Sequence, residues 1–254
     1  MPLKRRQFIK YAAGGVAANL FTHSALAPAA AKSGIKAVAF DAFPIFDPRP
    51  IFVLVETLFP GKGKELGNAW RTRQFEYQWL RALSGQYVDF WQATEEGLLF
   101  AAKQLKLEMS DKKREQLMQA YLALKPWPDV IPALKSLRDA NIRLAFLSNM
   151  TPKMLNTNMH NSGLDEYFEH VISTDSARTY KPDPRAYQLG VDTLNLKREE
   201  IAFAAFAGWD VAGAKWFGYP TFWVNRAGFQ SEELGVTPDG MGKNLEQLVN
   251  FVKT

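Results

Sequence analysis

The chain has no cysteine, which removes disulfide scaffolds, zinc-thiolate sites and cysteine nucleophiles from consideration. Histidine is almost as scarce, since only His160 and His170 lie beyond residue 31. A histidine-based metal cluster has too few ligands, and a Ser-His-Asp arrangement has almost no choice of base. Both histidines read as surface or strand-end residues. A bilayer-spanning apolar run is missing too, because the one candidate near the start, YAAGGVAANLF, is too short. It follows KRRQFIK and precedes small residues, with Ala29-Ala30-Ala31 as an A-x-A cleavage site. Arg5-Arg6-Gln7-Phe8 resembles a twin-arginine export signal. Residues 1–31 are therefore expected to carry a folded protein to the periplasm and then to be removed, leaving no stable membrane association. That segment holds four basic residues and no acidic one, so the formal charge of +5 falls to +1 without it. The basic balance is no argument for nucleic acid.

What remains is ordinary for a folded, solvated body, with 47% hydrophobic and 22% charged residues in 254. From Ile35 short apolar runs alternate with helical segments, the pattern of an α/β fold with a doubly wound parallel sheet. Strands are expected at Lys36–Phe40, Arg143–Leu147, His170–Ser173, Ile201–Phe206 and Thr221–Val224, and helices at Val130–Ala140, Pro152–Asn161, Pro184–Leu194 and Val211–Phe217. Strand signals fail between Pro50 and Lys125, where the sequence reads as helix after helix with Ser110 or Asp111 as an N-cap. This predicts a core of residues 32–49 and 126–254 carrying an inserted helical cap, residues 50–125. The glycine-rich FPGKGKELG lacks the ending of a phosphate-binding loop and reads as a surface loop.

Doubly wound sheets bind ligands at the carboxyl ends of their strands. Here the first strand ends at Asp41 and the second at Ser148-Asn149. The third leads to Tyr180-Lys181, and the fourth to Trp209-Asp210. Singly each has a plain structural reading: Asn149 as a turn residue, Lys181 as a surface lysine, Asp210 as a helix N-cap. Four polar strand ends in order point instead to one site.

With the phrases VAFDAF, LSN, YKPDPRAYQLG and WDVAGAKWFGYPTFWVNR, and AWRTRQFEYQWLRAL and YVDFWQATEEGL in the cap, the chain resembles the haloacid dehalogenase superfamily, specifically its L-2-haloacid dehalogenase branch. The resemblance implies a Rossmann-like core with a helical cap, a homodimer, and hydrolytic removal of halide from a short 2-haloacid. Asp41 would attack the halogen-bearing carbon to form an aspartyl ester. Lys181 and Ser148 would hold Asp41, and Asp210 would activate the water that cleaves the ester. Arg71, Asn149 and Trp209 would receive the halide, with Phe90, Phe43 and Tyr180 completing the pocket. Phosphatases of the superfamily place a second aspartate two residues after the nucleophile and use magnesium. Here Phe43 stands at that position and Phe206 stands four residues before Asp210, so no metal or other cofactor is expected.

The same comparison shows lost polarity. After the nucleophile the branch usually carries Ala or Leu, Tyr, Gly and Thr, where this chain has Ala42, Phe43, Pro44 and Ile45; Ala205 and Ala207 replace a serine and an asparagine. Donors oriented at developing charge can each matter by roughly 10²-fold in rate. The alternatives are an exported protein that binds a small carboxylate with impaired turnover, or a phosphatase. The retained Asp41, Arg71, Asn149, Lys181, Trp209 and Asp210 favour the enzyme.

Overall fold

The computed structural model describes residues 34–254; the export signal expected in residues 1–31 lies outside them. Six strands form one parallel sheet: β1 (Ala37–Phe40), β4 (Arg143–Ser148), β5 (His170–Ser173), β6 (Ile201–Ala205), β7 (Thr221–Val224) and β8 (Gly240–Gly242). Their order is β5-β4-β1-β6-β7-β8. The chain thus runs outward from β1 on one side and returns on the other, leaving β1 at the reversal where such sheets open a crevice. Alternation along the strands feeds two cores. Val38, Phe40, Leu144, Phe146, Ala202 and Ala204 face one, and Ala37, Ala39, Ala145, Leu147, Phe203 and Ala205 face the other. Helices α6 (Val130–Asp139), α7 (Pro152–Asn161) and α10 (Leu245–Lys253) cover the first; α8 (Pro184–Leu194) and α9 (Gly208–Phe217) cover the second.

Between β1 and β4 the chain is mostly helical. Helices α2 (Arg49–Leu58), α3 (Gly63–Ser84), α4 (Phe90–Gln104) and α5 (Asp111–Ala120) lie there, the last capped by Ser110. Entry and exit lie side by side as a two-residue antiparallel ribbon, β2 (Phe46–Asp47) on β3 (Lys125–Pro126). The buried face of α3 is Leu66, Trp70, Gln74 and Gln78, while Leu80 is exposed. Both buried glutamines have a partner across the fold: Gln74 donates to the Thr94 hydroxyl, and Gln78 Oε1 accepts from Asn149, while among the described residues Gln78 Nε2 has none. Gly97 of α4 sits where a Cβ would lie 3.0 Å from the Gln74 nitrogen, so the absence of a side chain lets the two helices approach. Helix α3 begins inside the segment expected to be a loop, at Gly63.

Several element ends differ from expectation. The apolar run at β6 stops at Ala205, and Phe206 turns toward Phe43, their ring centroids 5.8 Å apart. Helix α9 starts three residues before Val211, so Asp210 lies in its first turn instead of capping it. The proline-containing stretch after Asp41 is a one-turn helix, α1 (Ala42–Ile45), whose N-cap is Asp41 itself. Unforeseen were β8, only Gly-Met-Gly, and α10, although Leu245, Leu248, Val249 and Val252 carry a helical period.

The turn after Asp41 is braced from outside. Trp127 Nε1 donates to the Phe43 carbonyl at 3.0 Å, and Arg226 Nη2 to the Pro44 carbonyl at 2.8 Å. Asp129 fixes Arg226 through Nη1 at 2.9 Å and also accepts from the Leu245 nitrogen at 2.6 Å. One carboxylate thereby ties α10 and the β7 loop to the turn that presents the nucleophile. Asp129→Ala is expected to lower unfolding free energy by about 2–4 kcal/mol in urea titration, because it strips a largely buried guanidinium of its charge partner. A change below about 0.5 kcal/mol, the scale of ordinary surface substitutions, would show that the brace is not load-sharing.

Candidate active site

Four strand ends converge on the C-terminal edge of the sheet. Asp41 follows β1 and receives its position from the sheet, since its nitrogen donates to the Ala204 carbonyl at 3.1 Å. Ser148 ends β4 and its hydroxyl donates to Asp41 Oδ1 at 3.1 Å. Lys181 lies between β5 and α8, with its side chain 1% exposed. Its Nζ donates to Asp41 Oδ1 at 3.0 Å and to Asp210 Oδ2 at 2.5 Å. Asp210, from α9, is completed by the Tyr187 hydroxyl, which donates to Oδ1 at 2.7 Å.

The lysine backbone is held as firmly as its head. Its nitrogen donates to Asn149 Oδ1 at 2.9 Å, and its carbonyl accepts from Trp79 Nε1 at 3.2 Å. Asn149 in turn donates from Nδ2 to Gln78 Oε1 at 3.2 Å. A buried ammonium fixed at both ends is a preorganised charge, which needs no reorganisation when a neighbouring carboxylate reacts.

Burial pushes the Asp210 carboxyl up, to about 6; the nearby Asp41 carboxylate adds to the rise while Lys181 and Tyr187 oppose it. For Lys181 burial acts downward, but the two carboxylates outweigh it and hold the ammonium above its ordinary range. Burial, with Asp210 beside it, drives the Tyr187 phenol well above its usual value, keeping it a proton donor. Asp41 Oδ2 is the less engaged oxygen, accepting only from the Phe43 nitrogen at 3.3 Å.

Beside Asp41 opens a cavity of about 410 Å³ whose lining includes Phe43, Arg71, Phe90, Ser148, Asn149 and Trp209, all expected from the sequence. Asp210 reaches it as well. The Trp209 Nε1 donor is buried without a partner, its ring edge-on to Phe75 and Trp79 at 5.3 and 5.6 Å. Among the described residues Arg71 has no carboxylate partner; its guanidinium lies 5.7 Å from the Phe75 ring centroid and 5.8 Å from that of Phe229. Two donors thus await an acceptor.

Tyr180 is the correction. It does not line the cavity; its hydroxyl donates to the Val88 carbonyl at 2.6 Å and its ring packs on Tyr87 at 5.1 Å. That buried tyrosine joins the insertion to the core. The tyrosine that reaches the site is Tyr187, unremarked within YKPDPRAYQLG although it lies on the helix that begins just after Lys181. Gln78 and Arg226 were also overlooked. A glutamine four residues after another on a buried helix face was the available signal for Gln78, and none marked Arg226.

Magnesium of the kind used by superfamily phosphatases does not fit the donor set. Phe43 and Phe206 put carbon where it would need oxygen, and Lys181 already bridges the two carboxylates. Among the described residues no group of three or more His, Asp or Glu side chains is placed to hold a metal ion.

Comparison with known proteins agrees with this geometry. A family model described as a haloacid dehalogenase-like hydrolase matches residues 35–218. Haloacetate dehalogenase H-2 of Moraxella sp. (strain B) is 43% identical over 219 residues, 86% of this chain and 98% of that protein. The (S)-2-haloacid dehalogenase of Pseudomonas sp. (strain YL) is 39% identical over 221 residues, 87% of this chain and 95% of that protein. The solved structure of L-2-haloacid dehalogenase from Xanthobacter autotrophicus with chloropropionic acid covalently bound superposes with a TM-score of 0.79 at 34% identity, covering 86% of this chain and 98% of that one. With sheet order, inserted helices and the Asp41–Lys181–Asp210 cluster all in place, the chain belongs to the haloacid dehalogenase-like hydrolases and, within them, to the L-2-haloacid dehalogenase family.

Proposed function

We propose that the protein hydrolyses 2-haloalkanoic acids through an ester on Asp41, with no metal in the reaction. The observation that carries this reading is the buried ammonium of Lys181 fixed between Asp41 and Asp210. Lys181 and Ser148 hold Oδ1 of Asp41, which leaves Oδ2 to attack C2 of the substrate. The C2–halogen bond breaks and its electron pair leaves with the halide. Arg71 and the Trp209 indole N–H supply donors for the two anions present, halide and substrate carboxylate. The relative from Xanthobacter autotrophicus, with chloropropionic acid covalently bound, supports a covalent route.

The second step consumes water. A molecule beside Asp210 adds to the acyl carbon of the Asp41 ester while Asp210 takes its proton. The acyl–oxygen bond breaks, that proton passes to the departing 2-oxygen, and a 2-hydroxy acid leaves; the water's second proton, left on the Asp41 carboxyl, is released to solvent, which restores the carboxylate. A carboxyl at about 6 is largely ionised at neutral pH yet basic enough for this transfer. Halide release from (S)-2-chloropropionate, undiminished by EDTA and lowered about a thousandfold or more by Asp41→Ala, is the expected result. Loss of activity on chelation, or phosphate release from small phosphoesters in its place, would contradict the reading.

One observation favours a slow second step. Ala207 lines the cavity at the place where the branch has asparagine, and both oxygens of Asp210 already accept hydrogen bonds. Few groups remain to orient the attacking water. A burst of halide followed by slower turnover is therefore expected, with an ester adduct on the peptide containing Asp41 seen by intact-mass spectrometry. Ala207→Asn should hasten decay of the adduct by about tenfold, a fraction of what one well-placed polar group can contribute. Steady halide release with no adduct, unchanged by Ala207→Asn, would refute the water-positioning deficit.

A further inference from the structure

The cavity exceeds what a two- or three-carbon haloacid fills. At roughly 30 Å³ per heavy atom, the share of a water molecule in the liquid, chloropropionate with its six heavy atoms takes about 180 Å³. The cavity holds about 410 Å³. Over half of it would be left to water, and its remaining walls are poor hosts for water.

Those walls are aromatic carbon. Phe43, Phe52, Tyr121, Trp127, Phe206 and Phe229 all line the space, contributed by α1, α2, the exit of the insertion and the loops after β6 and β7. Asp41, Ser148, Asn149, Asp210, Arg71 and Trp209 gather the polar groups at the nucleophile end, and Arg49, Asn68, Gln74 and Arg226 reach the lining beyond it. Phe43 and Phe206 stand ring to ring at 5.8 Å, tilted 54°, which makes an apolar wall beside the nucleophile. Trp127 spends its N–H on the Phe43 carbonyl, and the guanidinium groups of Arg49 and Arg226 lie over its ring at 4.5 and 4.6 Å. Water against the Phe43, Phe52, Phe206 and Phe229 rings finds few of the two to four polar partners it needs, whereas a flat apolar group gains contact with them.

Resting on the hydrolase reading, we infer that the substrate carries a bulky apolar substituent on C2, of aryl or arylmethyl size. This extends the substrate class beyond the short acids of the resemblance. (S)-2-Chloro-3-phenylpropionate, with twelve heavy atoms, would fill about 360 Å³ on the same scale. Its carboxylate and chlorine take the polar end beside Asp41, and its ring takes the aromatic walls. The reaction is the one already balanced: ester formation at C2 with loss of chloride, then hydrolysis to 3-phenyl-2-hydroxypropionate.

Chloride release from chloroacetate, (S)-2-chloropropionate and (S)-2-chloro-3-phenylpropionate tests the inference, with kcat/KM expected to rise tenfold or more to the last. Ala227, exposed on the loop after β7 and lining the cavity, gives the control. Ala227→Trp should fill part of the space, lowering the ratio of kcat/KM on the phenyl acid to that on chloroacetate at least tenfold. Binding of the halogen-free 3-phenylpropionate and propionate, followed by quenching of tryptophan emission, reads the pocket without turnover; the phenyl acid should bind at least tenfold tighter. Preference for chloroacetate, or equal binding of the two halogen-free acids, overturns the inference and leaves the hydrolase reading standing. Tighter binding of 3-phenylpropionate with no chloride from any acid supports the pocket assignment and overturns the hydrolase reading.

Discussion

Lys181 brings one positive charge between two carboxylates in a region that water hardly reaches, and the rest of the site follows from the need to keep it there. The Asp41 and Asp210 side chains are 13% and 2% exposed. Without a cation between them, two negative charges in so low a dielectric would drive one to take up a proton. The protein supplies that cation by holding the lysine at both ends. Asn149 and Trp79 grip its backbone, and Gln78 in turn grips Asn149. Gln78 and Trp79 come from α3, so the insertion is part of the electrostatic frame as well as a cover.

The frame divides the cavity into two chemical halves. Around Asp41 the hydrogen-bonding capacity is nearly all committed, which suits displacement, where the nucleophile must be ionised and aimed. Beyond it, Phe43, Ile45, Ala205 and Ala207 stand where the branch carries hydroxyls and an amide. Phe43, the first of these, packs on the ring of Phe206. Apolar side chains here favour exclusion of water and contact with apolar groups.

Much of this was legible in the sequence because it rests on local rules. A parallel sheet buried on both faces leaves short β-rich runs, so β5 and β7 were placed to the residue. Polar residues at successive strand ends marked Asp41, Ser148, Lys181 and Asp210 because buried polarity in that position has to have partners. What was illegible depends on distant pairing. Gln74 and Gln78 look solvent-facing until Thr94 and Asn149 appear opposite them. Tyr180 and Tyr187 are alike in sequence, and only the course of α8 sends one hydroxyl to Asp210 and the other to the Val88 carbonyl. Arg226, 97 residues from Asp129 and 182 from Pro44, carries no local signal of its role in bracing the nucleophile turn.

The claim that Lys181 makes two buried carboxylates tolerable is tested most directly by urea unfolding of Lys181→Met across pH. At pH 7 the variant should be less stable by about 3–5 kcal/mol, since the replacement keeps the volume and strands both charges. Near pH 5 the deficit should shrink, because Asp210, already held at about 6, takes up a proton and relieves the repulsion. A variant as stable as the parent at pH 7, or a deficit that does not change between pH 7 and 5, would contradict the account.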